Sequence, residues 1–472
     1  MLPLVVDLDG TLIRTDLLVE SAIGLARSRT RSILAPLFWV LQGKARLKGR
    51  LADCVPIDAT GLPFDERVIA LIEAERAKGR RIVLATASHR IYADQVAAHL
   101  KLFDAVLATE GDVNLSARKK RDRLVEEYGE KGFDYVGNSH DDLAVWAAAR
   151  QSYVVNPERG VETAARALGN VACTIKTEGN PLRSWVKALR FHQWMKNLLI
   201  FVPLLASHKL GKLDLLVDGL LAFLFFGLCA SSVYVLNDLL DLSDDRHHAT
   251  KRKRPFASGA LPVKAGLVVF PLLLLAAFGG ALWLLPWQFA AALGIYYAMT
   301  LAYSVALKRM MVVDVITLAM LYTIRIIAGT FAFSVAATFW MLAFSMFIFL
   351  SLALVKRYAE LYEARNRGKS EKARGRGYYP SDLEMISSMG AASGYLAVLV
   401  LALYIQDQNT VALYHHPKVI WLACPLLLFW ISRTWLLTHR GQMNDDPVVF
   451  AIKDRVSLVV GAMFGLIFWL AA

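Results

Sequence analysis

Three aspartates, Asp238, Asp241 and Asp245, recur at i, i+3 and i+7 in the stretch NDLLDLSDDRHHATKRKRP, residues 237–255. On a helix that spacing sets all three carboxylates on one face. Carboxylates held so close repel one another, the more so at the mouth of the uncharged run LLAFLFFGLCASSVYVL that precedes them. A divalent cation relieves the repulsion, and an oxygen-only donor set favours Mg2+, which keeps several waters and bridges to substrate phosphates. Asn237 opens the stretch, and Arg246, Lys251, Arg252 and Arg254 close it, suited to the remaining charge of a phosphate. The expected chemistry is metal-assisted handling of a phosphorylated substrate at a membrane boundary.

A second acid pair stands at the front. LVVDLDGTL, residues 4–12, is an apolar strand ending in Asp7 and Asp9. RIVLATAS is a second strand ending in Thr86, SARKKRDRL offers Lys120 or Lys119, and FDYVGNSHDDL is a third strand followed by Asn138, Asp141 and Asp142.

The elements that must hold these groups differ along the chain. It has 472 residues, 56% of them hydrophobic, and a net charge of +13. That composition is too apolar for an ordinary soluble protein and fits a multi-span membrane protein. Residues 1–180 are mixed, and their alternation of strands and helices predicts a doubly wound parallel sheet with a helical cap over about 17–70. The opening MLPLVVDLDG lacks a basic leader and has too short an apolar run for a signal peptide. The cap stretch RSRTRSILAPLFWVLQGKARLKGR is basic and apolar by turns, the pattern of a plain cap helix or of one resting on anionic lipid. Residues 183–472 form an expected all-α membrane domain of nine apolar segments: about 190–208, 215–236, 262–283, 286–306, 311–332, 336–355, 388–406, 417–437 and 450–471. With residues 1–180 cytoplasmic, the loops on that side hold roughly twenty Lys and Arg against about three on the other, the positive-inside asymmetry. The excess positive charge is thereby read as membrane orientation, with no nucleic-acid partner. The four cysteines, Cys54, Cys173, Cys229 and Cys424, are scattered without metal-type spacing.

The Asn-Asp-x-x-Asp-x-x-x-Asp stretch with its closing bases resembles the first aspartate motif of the UbiA superfamily of intramembrane prenyltransferases, whose nine-helix bundle matches the nine segments. Aromatic prenyltransferases of that superfamily carry a second motif, DxxxD. Here Asp314 stands alone, because Leu318 occupies the fourth place after it. Arg325 follows Asp314 by about three helical turns, on the same face and deep in the hydrocarbon, where a guanidinium is costly and usually functional. With RFHQWMKNLLIFVPLL, YSVALK (Tyr303 to Lys308) and DDPVVFAIKD, the variant resembles the decaprenyl-phosphate phosphoribosyltransferase branch. That resemblance implies a phosphoribosyl diphosphate donor, a polyprenyl phosphate acceptor and release of pyrophosphate. Mg2+ on Asp238, Asp241 and Asp245 would hold the pyrophosphate. Arg254, Lys308, Lys356 and Arg357 would meet its remaining charge, and Lys196 and Arg325 would hold the lipid phosphate. Asp382, Asp446 and Asp454 would orient a base or a ribose hydroxyl, or serve only as loop acids.

The front motifs resemble the haloacid dehalogenase superfamily. The resemblance implies that Asp7 attacks phosphorus, that Asp9 protonates the leaving oxygen and then activates water, and that Thr86 and Lys120 bind the phosphoryl group. It also implies a second Mg2+ held by Asp7, Asp9, Asn138 and Asp142, or Asp141 in place of Asp142. Many relatives have Asp where this chain has Asn138. The combined expectation is a bifunctional enzyme of the bacterial plasma membrane with both sites cytoplasmic. The membrane domain makes a phosphoribosyl lipid and the front domain removes its 5-phosphate. The competing expectation is a prenyl-diphosphate enzyme with an aromatic or other acceptor, its front domain a separate phosphatase or an inactive docking module.

Overall fold

A computed structural model describes residues 1–28, 35–111, 113–177, 179–209, 211–368, 376–407, 414–443 and 446–472. Parts of the basic cap stretch (29–34) and of two charged loops (369–375 and 444–445) lie outside the described residues. Contacts divide the chain into two units: Met1–Leu189 with Tyr234–Phe270, and Arg190–Val233 with Pro271–Ala472.

The first unit is built on a six-stranded sheet of order β3-β2-β1-β4-β5-β6. The strands are β1 Leu4–Val6, β2 Ile82–His89, β3 Ala105–Thr109, β4 Asp134–Gly137, β5 Ser152–Val155 and β6 Val171–Ile175, and every pairing is parallel. Helices cover both faces, as a parallel sheet requires. Successive residues of β1 therefore enter opposite cores: Leu4 and Val6 pack with Ile82 and Ile72, Val5 with Val83 and Trp146. This is the doubly wound architecture expected from the sequence. Helices Leu17–Ser28, Ala35–Leu41 and Lys44–Cys54 stand between β1 and β2.

One ion cluster pins the sheet's lower edge. Asp134, fully buried, accepts from Arg80 at 2.6 Å and from Arg150 at 2.7 and 2.9 Å. Burial opposes its ionisation, but the hydrogen bonds from Arg150 and Arg80 outweigh that and hold the carboxyl below its usual value. Asp134→Ala removes one of the two carboxylates that hold the buried Arg80, leaving Glu75 at 2.8 Å, and should destabilise this unit by about 2 kcal/mol at neutral pH. Because the folded value is depressed, that stabilisation is present above the unfolded carboxyl's value and is lost as pH falls through the folded one. Thermal melts of the two proteins should accordingly converge in acid.

The sequence assigns residues 234–270 to the membrane domain; by contact they join the first unit. Leu239, Phe256, Leu261 and Val263 bury against Ala188, with Trp185, Val19 and Ile23 packed around them.

In the second unit, apolar composition and length again dictate helices. Together with the long helix Leu213–Leu240, which continues into the first unit, the described residues contain six helices long and apolar enough to cross a bilayer. The number is seven if Pro447–Lys453 and Arg455–Ala471, bent by 81°, count as one span. Nine spans thus stands only as the sequence expectation. The first expected span, 190–208, is broken into a 3-10 helix, Phe191–Phe201, and a short helix, Val202–Ala206, whose Pro203 has no N–H to carry a longer ladder. Gly329 lets the helix Val313–Ala332 approach that segment, since a Cβ there would lie 2.1 Å from the Ile200 carbonyl oxygen. Leu275, Leu282, Trp283 and Trp287 remain outward and exposed, as lipid-facing side chains do.

Candidate active sites

Asp7 and Asp9 leave the carboxyl end of β1, where a doubly wound sheet gathers its functional loops. Lys120 donates to Asp7 Oδ1 at 2.7 Å and to the Tyr135 hydroxyl at 2.8 Å. Lys119 is exposed, so Lys120 is the lysine that reaches the site. The Asp9 carboxylate accepts from Leu17 N at 2.8 Å and from Ser88 Oγ at 2.6 Å. Thr86 is fully buried within β2, which runs on to His89 instead of ending at Thr86, and its hydroxyl accepts from Ser88 N at 2.9 Å. Gly10 has φ +76°, and a Cβ there would lie 2.3 Å from Asn138 Nδ2, so the glycine is what lets Asn138 close on the Asp7 loop. Thr11 Oγ1 joins the two, donating to Asn138 Oδ1 at 3.3 Å.

Asp142 is buried and both its oxygens are engaged. Tyr135 OH donates to one at 2.8 Å, while Asn138 N, Ser139 N and Ser139 Oγ each donate to the other at 3.0 Å. Asp142 therefore shapes the loop that presents Asn138, whereas Asp141 is exposed. Burial, with Asp142 nearby, pushes the Asp7 carboxyl up to about 7 against the pull of Lys120. Burial and the Asp16 charge push Asp9 up to about 6. Crowded carboxyls whose ionisation is this costly, beside the oxygen of an amide, are a donor set that suits Mg2+. Among the described residues no group of three His, Cys, Asp or Glu has metal-site geometry, and the Asn138 amide is the further donor this set would need.

The aspartate stretch is bent. The helix ends at Leu240, Asp241 precedes a short helix Leu242–Arg246 without a side-chain cap, and Asp245 N still bonds the Asp241 carbonyl at 2.8 Å. Asp238 and Asp245, each 2% exposed, nevertheless converge: Arg254 Nη1 lies 3.1 Å from one and 2.7 Å from the other. Asp241 is half-exposed, 4.0 Å from Arg27, which also holds the exposed Asp244 at 2.5 Å. Burial holds the Asp245 carboxyl above its ordinary value despite Arg254. Two buried carboxylates thus share the Arg254 guanidinium, and their oxygens are a donor type that suits Mg2+. Arg246 is turned aside onto Glu20, at 2.5 and 2.8 Å; Lys251 is exposed and Asn237 half-buried.

The second unit gathers three cations around Tyr322. Lys196 and Lys356 hold Asp446 at 2.7 and 3.2 Å, and the Tyr322 hydroxyl donates to the same carboxylate at 3.2 Å. Lys196 lies 5.5 Å from the Tyr322 ring centroid and Arg325 5.7 Å. Arg325, 4% exposed, donates to Asn197 Oδ1 at 3.1 Å and to the Tyr296 hydroxyl at 3.3 Å, with its guanidinium over the rings of Tyr296 and Phe226. Among the described residues no carboxylate lies at ion-pair distance from it. The cations Lys196, Lys356 and Arg325 outnumber the Asp446 carboxylate that two of them share, a charge balance suited to an anion.

Comparison with known proteins fixes the relationship. The model of the UbiA prenyltransferase family matches residues 198–456. The chain belongs to the UbiA prenyltransferase family. A haloacid dehalogenase-like hydrolase model matches residues 4–147. A Sinorhizobium fredii protein designated y4nM is 37% identical over 472 residues, covering 100% of this chain and 91% of its own. Nodulation protein NoeC of Azorhizobium caulinodans is 38% identical over 61% of this chain and 94% of its own. A decaprenyl-phosphate phosphoribosyltransferase of Mycobacterium tuberculosis is 32% identical over 57% of this chain and 88% of its own. With its apolar helices and this family, the protein is an integral membrane protein with a haloacid dehalogenase-like front.

Other predicted residues of the UbiA segment have these partners in the structure. Asp314 does not meet Arg325; it pairs with Arg357 at 2.7 Å and accepts from Tyr378 OH at 2.7 Å. Arg357, fully buried, also holds Glu360, so its charge is spent on a lock between helices. Tyr303 accepts from Arg376 at 2.9 Å, and Lys308 sits half-buried in the 3-10 turn Leu307–Arg309. Asp382 caps a helix through Tyr379 N, and Asp454 pairs with Arg433 and caps at Ser457. Sequence reasoning missed Ser88, Thr11, Tyr135, Tyr322 and Lys48. Two of them had a visible signal: Thr11 stands within the quoted stretch LVVDLDGTL, and Ser88 two residues after Thr86 in the strand already singled out.

Proposed function

We propose that the protein is a bifunctional membrane enzyme. Its UbiA segment transfers 5-phosphoribose from phosphoribosyl diphosphate to a polyprenyl phosphate, releasing pyrophosphate. Its haloacid dehalogenase segment then removes the 5-phosphate, leaving a polyprenyl-phosphoryl ribose. What carries the reading is the convergence of Asp238 and Asp245 on one cation in a chain related to decaprenyl-phosphate phosphoribosyltransferases over most of their length. The lone Asp314, tied to Arg357, weighs against a second metal-bound prenyl diphosphate.

In the transfer, an oxygen of the lipid phosphate attacks the anomeric carbon as its bond to pyrophosphate breaks. That oxygen is already anionic and needs no base, only aiming. Lys196, Lys356 and Arg325 attract and orient an anion, while Asp238, Asp245 and the more open Asp241 hold Mg2+. When bound, the metal neutralises the departing pyrophosphate. In the front site Asp7 attacks phosphorus and Asp9 protonates the leaving 5-oxygen, then takes a proton from water to free the phosphate. Lys120 and Thr86 hold the phosphoryl oxygens. Asp7, Asp9 and the Asn138 amide would hold the second Mg2+, with Asp142 bracing the loop that carries Asn138. Both sites face the cytoplasm in this proposal, supported by the positive-inside charge pattern.

The test is mass spectrometry of the lipid formed from phosphoribosyl diphosphate and polyprenyl phosphate. A prenylated aromatic product instead would overturn the reading. Arg325→Ala should lower kcat/KM for the lipid acceptor about 100-fold while changing the donor's KM less than about threefold, as expected for a buried charge-assisted contact to one substrate.

A further inference from the structure

The front site lies in a cavity of about 1000 Å³ within the first unit. Lys48, on the helix Lys44–Cys54, lines it without being used in the chemistry described above. Its ammonium donates to the Ala87 carbonyl oxygen at 2.6 Å and to Asn114 Oδ1 at 2.7 Å. Both acceptors are neutral, and among the described residues no carboxylate lies at ion-pair distance. Two of the three ammonium hydrogens are accounted for; the third is available to a ligand. The Asp9 and Asp16 carboxylates act on it only from beyond ion-pair distance, so this half-buried cation can still take an anion in direct contact.

Its place is informative. Ala87 precedes Ser88, whose hydroxyl donates to Asp9 at 2.6 Å, and Lys48 is among the charges that lower Asp9. Lys120, on Asp7, already serves the phosphoryl group under attack. Lys48 therefore stands on the side of the general acid, where the leaving alcohol must lie.

We propose that Lys48 is a specificity-determining residue that binds a second anionic group carried by the leaving alcohol, so that the site selects phosphomonoesters whose alcohol portion is itself a phosphodiester. This rests on the phosphatase reading and narrows it. In a 5-phosphoribosyl lipid the 5-phosphate is removed, and the diester at C1 supplies the charge that Lys48 recognises. Lys264, paired with Asp16 at 2.7 Å on the same cavity wall, has its charge already met and is not assigned this role.

Two soluble probes separate the idea from general phosphatase activity: 5-phosphoribosyl ethyl phosphate, with a diester at C1, and methyl riboside 5-phosphate, neutral there. With the full-length protein and Mg2+, kcat/KM should favour the diester probe about tenfold, the worth of one charge-assisted contact. Lys48→Met should abolish the preference, and Lys48→Arg should largely keep it. Equal turnover of both probes by the wild type, or equal losses on both in Lys48→Met, would overturn the proposal. Should the wild type hydrolyse neither, the phosphatase reading fails on its own. Calorimetric binding of the two probes to Asp7→Asn, with and without Lys48→Met, then decides the role of Lys48: tighter binding of the diester that needs Lys48 supports it, and equal binding overturns it.

Discussion

Asp238→Asn should cut pyrophosphate release by about a thousandfold, some 4 kcal/mol of barrier, with little change in thermal stability. The side chain is 2% exposed and shares Arg254 with Asp245. Asparagine keeps its shape and one oxygen, so packing survives while one unit of negative charge is lost from the cation site. Asp245→Asn should match it, because the two carboxylates act on the same cation. Asp244→Asn is the control: that residue points outward onto Arg27 and should stay within about threefold of wild type. Near-normal release from Asp238→Asn would remove the aspartate stretch from the donor site altogether.

Asp7→Asn should leave the transfer intact and stop the second step by more than about ten-thousandfold, since an amide cannot replace the attacking carboxylate. The lipid product should then be heavier by one phosphoryl group. Lys120→Met should give the same product more leakily, because Lys120 binds charge but forms no bond. Identical lipids from wild type and Asp7→Asn would separate the two activities and sink the two-step scheme. Unlike an unstructured acid, Asp7 is buried and costly to ionise, so the removal of Mg2+ with a chelator should also suppress this step.

The front site was readable because its chemistry is carried by short segments at strand ends: Asp7 and Asp9 after β1, Thr86 in β2, Asn138 after β4. Burial on both faces of a parallel sheet makes such strands short apolar runs, and the polar residue ending each run marks itself. The aspartate stretch was half readable. Spacing placed Asp238 and Asp245 on one face, yet the helix breaks at Asp241 and the carboxylates meet through Arg254, which a straight helix does not reveal. Pairings across elements were the least visible. Nothing in a linear pattern tells that Asp314 is claimed by Arg357, or that Lys48 reaches the Ala87 carbonyl. Those contacts depend on how helices pack, and opposite charges far apart in sequence have many possible mates. Likewise the apolar run 190–208 reads as one span, and only the backbone demands at Pro203 divide it.

The apolar cluster around Phe256 has a practical consequence. Leu239, Leu261 and Val263 close over Ala188 beside Trp185, Val19 and Ile23, so the front segment and the stretch after the aspartates are woven into one fold. Scission near residue 180 would strand greasy side chains on both fragments. A cut there would expose apolar surface that the intact chain keeps buried, so each half should be less soluble alone than joined.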